Sequence, residues 1–114
     1  GPDEQLVSGL AMGADGGIGG TYAVMPELYL KIEELVGTGK VREAQKIQYA
    51  ADAIIYAMCE CHGNLYAVMK EILRIREGLD IGSVRKPLPE LIPEDMAQVK
   101  KCAVMIDEAI KTYC

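Results

Sequence analysis

The sequence predicts a mainly α-helical chain, and three observations carry that prediction. Apolar residues recur at spacings of three and four through most of the chain after residue 38. Helix start and stop signals bound those stretches, with Pro26 and Pro93 at favoured first positions and Gly37 and Gly78 as terminators. Glycine is dense only before Gly37-Thr38-Gly39, where the elements are short, so the chain divides there into residues 1–37 and 38–114.

Asp3 to Met12 reads as a short helix with Asp3 as its cap. Asp3 and Glu4 put negative charge at the positive end of its dipole, and Gly13 stops it. Ala14 to Thr21 is too rich in glycine for an isolated helix. It fits either a short buried strand end or a loop where backbone must approach something closely. The next helix opens at Pro26, aligns Leu28, Ile32, Leu35 and Val36 on one face, and ends at Gly37.

A longer helix follows from about Lys40 to Cys61, with Val41, Ala44, Ile47, Ala51, Ile54, Met58 and Cys61 as its apolar stripe. His62-Gly63-Asn64 breaks it. Leu65 to Glu77 forms another helix, with Leu65, Val68, Met69, Ile72 and Arg76 on one side and Gly78 as its stop. Arg85-Lys86-Pro87-Leu88-Pro89 must be an irregular connector, because two closely spaced prolines cannot continue a helix. Pro93-Glu94-Asp95 opens the last helix, striped by Met96, Val99, Ala103, Ile106, Ile110 and Tyr113. Residues 38–114 are therefore expected to form a three-helix unit.

Composition narrows the functional classes. The chain has 114 residues, half of them hydrophobic, and a net charge of −5, with no basic stripe to neutralise phosphates. Binding to nucleic acid or to an anionic membrane is therefore not expected. No apolar run is long enough to span a bilayer, and no basic n-region followed by an apolar stretch opens the chain. With neither Trp nor Phe, the core must be built from Leu, Ile, Val, Met and Ala with some Tyr. The four cysteines lie on predicted helices without a secretory signal, so reduced thiols and a cytoplasmic location are expected. The opening Gly1-Pro2-Asp3-Glu4 lacks a start Met. It reads as a cut inside a longer protein or as a tag-cleavage scar.

The stretch Gly13-Ala14-Asp15-Gly16-Gly17-Ile18-Gly19-Gly20-Thr21-Tyr22 is the most informative one. It lacks the Lys-Ser/Thr ending of a phosphate-cradling loop and fits the dinucleotide fingerprint only by force. A flexible linker would not be punctuated by Ile18, Tyr22 and Val24. The reading that remains is close packing beside a ligand.

Elsewhere, Cys59-Glu60-Cys61-His62 offers three metal donors but no fourth nearby, and Cys61 continues an apolar stripe, so no metal site is expected. His62, at a helix C-terminus, suits capping. Tyr49, Tyr56 and Tyr66, with Met58 and Met69, read as core and interface packing, and Arg85-Lys86 as a solvated pair. The lysines mostly sit on charged helix faces or in the connector, and none follows a strand-like run, so no catalytic residue is assigned.

GADGGIGGTY, preceded by GPDEQ and followed by this order of helices, resembles the N-acetylneuraminate lyase branch of the dihydrodipicolinate synthase-like aldolases. The resemblance covers essentially the whole chain but only about the last third of such an enzyme. It implies the C-terminal part of a (β/α)8 TIM barrel, from the end of strand 7 through helix 8 in residues 1–37, plus a C-terminal helical domain in 38–114. It also implies substrate binding by the backbone of Gly1, the side chains of Asp3 and Glu4, and the backbone near Gly19 and Gly20. Ionised carboxylates suit sugar hydroxyls because they accept several O–H bonds. Helix capping is the competing role for Asp3 and Glu4, and the two can coexist. Where the resemblance implies a serine, this chain has Gly20, so a side-chain hydroxyl is lost.

The family's chemistry implies no cofactor: a lysine attacks the keto acid to form an imine, which acts as an electron sink. That lysine, a tyrosine and a carboxylate-binding loop come from earlier strands, outside this chain. The expected partners are a sugar acid and pyruvate, with self-association into a homo-oligomer. Alternatives are a dihydrodipicolinate synthase-type or other keto-acid aldolase and, in another class, a non-catalytic helical self-association module.

Overall fold

The computed structural model describes all 114 residues. Five α-helices carry the fold: α1 (Leu6–Ala11), α2 (Pro26–Gly37), α3 (Val41–Cys59), α4 (Leu65–Glu77) and α5 (Met96–Tyr113). Short 3-10 turns at Asp3–Gln5, Gly20–Ala23 and Pro93–Asp95 link or precede them. The chain has no β-strand, in keeping with the mainly helical expectation. Residues 38–114 contribute three of the helices, as their periodicity predicts.

Local chemistry explains the boundaries. Pro26 occupies the first turn of α2. Helix α2 ends at Gly37, as expected, and the left-handed residue that closes it is Gly39 (φ 81°), two positions on. There Lys40 N–H bonds Leu35 C=O at 2.7 Å and Gly39 N–H bonds Val36 C=O at 3.1 Å. This is the paired capping of a Schellman turn, which needs a left-handed residue, and Gly39 supplies it without steric cost. Asn64 caps α4, its side chain accepting from Tyr66 N–H at 2.9 Å, and Gly78 ends α4 in the left-handed region. The connector after α4 is irregular, as expected, and is tied down by Lys70 Nζ to Ser83 C=O (2.7 Å) and Asn64 N–H to Pro89 C=O (2.9 Å).

Helix α3 is central, packed against α2 on one side and α5 on the other, while α4 leans on α5. One continuous core runs from Val7 in α1 to Ala109 in α5 and includes the fully buried Leu28, Ile32, Met58, Ile72 and Ile106. Burying one such side chain contributes roughly 1.5–3 kcal/mol. An exposed ion pair such as Lys31–Glu34 (3.2 Å) contributes at most about 1 kcal/mol. Packing therefore dominates stability. Arg76, on the apolar side of α4, lies over the core edge and sends its guanidinium to Asp107 (2.9 Å) and the Val24 carbonyl (3.2 Å).

Some expectations do not survive. Asp3–Met12 is not one helix: a 3-10 turn precedes α1, and the Asp3 side chain makes no capping bond. Residues 14–19 form an irregular, largely exposed loop rather than a buried strand end, and Ile18 is 98% exposed. These 114 residues contain no partner strand to accept its ladder bonds, so the loop reading holds. The long helix stops at Cys59, leaving Cys61 in the turn beyond it. Met58 and Met69 are buried, but Tyr49, Tyr56 and Tyr66 are each more than half exposed and no part of the core. On α3, positions 49 and 56 fall on the face opposite Ile47, Ala51, Ile54 and Met58.

Gln48 interrupts the apolar face of α3 and is 4% exposed. Its Oε1 accepts from Val7 N–H (3.1 Å), and its Nε2 donates to Asp3 C=O (3.1 Å) and to Asp52 Oδ1 (2.9 Å). It thus fastens the N-terminal turn and α1 to α3. Replacing it with Leu keeps the volume but strands these partners. We expect Gln48→Leu to cost about 1–3 kcal/mol, read as a lower denaturation midpoint of the chain.

Candidate functional site

The N-terminal turn and the glycine-rich loop meet at Asp3. Asp3 Oδ2 accepts from Thr21 N–H at 2.9 Å and from Thr21 Oγ1 at 2.5 Å. Thr21 Oγ1 also lies 2.7 Å from the Tyr29 hydroxyl. Thr21 has one hydroxyl proton, and the carboxylate takes it, so Tyr29 must donate to Thr21. A directed chain results, from Tyr29 through Thr21 to Asp3, with each bond polarising the next. Burial first, and the nearby Asp3 charge as well, push the Tyr29 phenol well above its ordinary pKa against the opposing Thr21 bond. It therefore stays a proton donor. The Tyr22 ring stacks on Tyr29 with centroids 4.1 Å apart.

The backbone of Gly19 passes directly beneath the Asp3 carboxylate. A Cβ at Gly19 would overlap both carboxylate oxygens, so only glycine allows this approach. At Gly20, a Cβ would meet Tyr66 Cε1 at 3.0 Å and Met69 Cε at 3.4 Å. The two glycines thus sit between Asp3 and the first turns of α4. Beside them Leu6, Leu10, Gly17, Tyr22, Tyr29 and Leu30 are among the residues lining a hollow of about 180 Å³.

The structure brings Asp3, Gly19 and Gly20 together, but not Gly1, which is exposed and has no neighbour packed against its Cβ position. Glu4 is half-buried and faces Asp52. Burial pushes the Asp52 carboxyl above its ordinary value, the Gln48 bond opposes that, and the Glu4 charge adds to it. Thr21, Tyr29 and Gln48 are constituents that the motif reading did not single out. A signal existed for Gln48, a polar residue inside the apolar repeat of α3. One also existed for Tyr29, one helical turn before Ile32.

A second polar cluster lies where the turn after α3 meets the start of α5. Asp95, 2% exposed, accepts from the backbone N–H groups of His62 (2.8 Å), Gly63 (3.0 Å) and Ile92 (3.1 Å). It also bonds His62 Nδ1 at 2.9 Å, where the ring must donate because a carboxylate only accepts. His62 therefore binds a buried carboxylate rather than capping its own helix. Burial alone would raise the Asp95 pKa, but the bonds from His62, Ile92 and Gly63 outweigh it and hold the carboxyl well below the usual range. The four cysteines carry free thiols. Burial pushes the Cys102 thiol up to about 11, so it packs as a small hydrophobe. No helix is long and apolar enough to cross a membrane.

The chain is 59% identical over 113 residues to the N-acetylneuraminate lyase of Mediterraneibacter gnavus, a match covering 99% of this chain and 36% of that protein. It is 35% identical over 99 residues to the N-acetylneuraminate lyase of Fusobacterium nucleatum, covering 87% and 33%. The fold superposes on Ruminococcus gnavus sialic acid aldolase with a TM-score of 0.97 at 58% identity, over 99% of this chain and 38% of that one. It also superposes on a variant of Sulfolobus solfataricus 2-keto-3-deoxygluconate aldolase with a TM-score of 0.80 at 27% identity, over 98% and 38%. The chain thus spans about a third of the length of the curated relatives it matches. The family model described as the dihydrodipicolinate synthetase family matches residues 1–106. With a family model matched across nearly all of its length, the chain belongs to the dihydrodipicolinate synthetase family.

Proposed function

We propose that these 114 residues are the C-terminal portion of a class I aldolase that reversibly cleaves N-acetylneuraminate to N-acetylmannosamine and pyruvate. The observation that carries this reading is the 59% identity to an N-acetylneuraminate lyase over almost every residue of the chain. In this reading residues 1–37 end the (β/α)8 barrel and residues 38–114 form its helical appendage. The Schiff-base lysine then belongs to barrel strands outside this chain, and no cofactor is needed. Barrel active sites lie at the C-terminal ends of strands, where Asp3 and the Gly19–Gly20 loop would sit.

Gly1, Asp3, Glu4, Gly19 and Gly20 would form part of the wall that holds the sugar portion. The Thr21 bonds fix the rotamer of Asp3 through Oδ2, which leaves Oδ1 lone pairs to accept from a sugar hydroxyl. Exposed apolar side chains such as Ile18, Leu30, Tyr49 and Tyr56 support packing against the rest of the barrel or another subunit. The free thiols support a reducing, cytoplasmic setting.

The test is to assay the full-length protein with N-acetylneuraminate and, separately, with aspartate semialdehyde plus pyruvate. Cleavage of the sialic acid alone is expected. Borohydride reduction in the presence of pyruvate should mark a lysine outside residues 1–114. Labelling within these residues, or condensation with the semialdehyde only, would overturn the proposal.

A further inference from the structure

The hydroxyl missing at Gly20 leaves a gap in a polar wall, and the structure puts an aromatic ring there. A Cβ at Gly20 would stand 3.0 Å from Tyr66 Cε1 and 3.6 Å from the Tyr66 hydroxyl oxygen. A side chain at 20 would press on the Tyr66 ring, which would have to give by a few tenths of an ångström, so the bare glycine and the tyrosine are sterically coupled. The backbone that carries the ring is placed firmly. Tyr66 lies in the first turn of α4, its N–H is held by the Asn64 cap at 2.9 Å, and Asn64 is itself tied to the connector through Pro89. Yet Tyr66 is 53% exposed, and its hydroxyl has no hydrogen-bond partner in the chain. The neighbours of Gly20 along the loop are Gly19, against Asp3, and Thr21, bonded to Asp3. A phenol with free donor and acceptor capacity therefore stands against Gly20, whose two chain neighbours hold the carboxylate proposed to bind the sugar portion.

We propose that Tyr66 is a substrate-binding and specificity-determining residue, whose hydroxyl bonds a hydroxyl of the polyol portion of the sugar acid in the space Gly20 leaves open. This rests on the lyase reading above and adds a residue from the helical appendage to the site. Because a phenol reaches further than a serine hydroxyl and carries an apolar ring, this wall favours a longer polyol chain over a truncated one.

The experiment uses the full-length enzyme and its Tyr66→Phe variant, which keeps the ring and loses only the hydroxyl. Expected is a KM for N-acetylneuraminate about 3- to 10-fold higher, with kcat within about twofold and unchanged imine trapping with pyruvate. Gly20→Ser, which forces the ring aside, should raise KM as well. Gly20→Ser with Tyr66→Ala should recover part of the affinity that Tyr66→Ala alone loses, since the serine hydroxyl then has room. An unchanged KM in Tyr66→Phe, or equal losses in kcat and in pyruvate trapping, would overturn the assignment while leaving the lyase reading intact. If the wild type fails to cleave N-acetylneuraminate, both fall together.

Discussion

Replacing Asp95 by Ala should lower the melting temperature of this chain by roughly 10 °C or more, among the largest losses available to one substitution. The carboxylate satisfies three backbone N–H groups and one imidazole N–H at a single buried point. Removing it leaves three backbone donors without their acceptor, the buried Gly63 N–H among them. The turn it holds cannot relax by shifting, because Gly63 lies against the backbone of Leu91: a Cβ at 63 would stand 2.9 Å from both Leu91 Cα and N. Asp95→Asn should lose less, since the amide oxygen still accepts, but its NH₂ then opposes one of the donors.

The same carboxylate sets an acid dependence. In the folded chain it is held below its ordinary value of 3.8, so between the two pKa values the unfolded chain binds more protons than the native one. Stability therefore rises with pH through that window. The contribution is full above about pH 5 and is lost as pH falls through 4 toward the folded value. Thermal melts of the wild type should drop between about pH 5 and pH 3, and Asp95→Asn should flatten that slope. Parallel curves for the two would refute the assignment.

Gly19→Ala should have the largest effect on function. The added methyl overlaps the Asp3 carboxylate, and the loop cannot yield without breaking both Thr21 bonds to Asp3. Losing a charge-assisted pair of bonds together with the orientation of the carboxylate proposed to bind the sugar should, in the lyase reading, cut kcat/KM for N-acetylneuraminate by about 10- to 100-fold in the full-length enzyme. Most of the loss should appear in KM, because the imine-forming lysine lies elsewhere in this reading. Thr21→Val tests the same link from the other side. It keeps the backbone bond to Asp3, removes the hydroxyl and leaves Tyr29 without an acceptor, so a smaller loss of the same kind is expected. A wild-type KM in Gly19→Ala would exclude the Asp3–Gly19 contact from substrate binding.

Both predictions turn on contacts that differ in how far they could be read from the chain. The helices α2 to α5 were legible to within three residues, because each rests on an apolar repeat and on nearby Pro, Asn or Gly signals. The GPDEQ and GADGGIGGTY stretches pointed to the family, because such dense, punctuated glycine has few other uses. The loop over residues 14–19 was legible only as a choice between two conformations. Strand formation depends on partners that the local sequence does not contain.

Sequence alone determined the helical periodicities, their end signals and the family of the chain, all of which are written in residues within a turn or two of one another. Tertiary structure decided the roles of the polar side chains. Asp3 abandons capping for Thr21, 18 positions away; Asp95 gathers a turn 32 to 33 positions away; and Gln48 spans 41 to 45 positions to hold the N-terminus. A buried polar group must find a partner wherever the packed core presents one. That partner is chosen by how the helices dock, which no local pattern encodes.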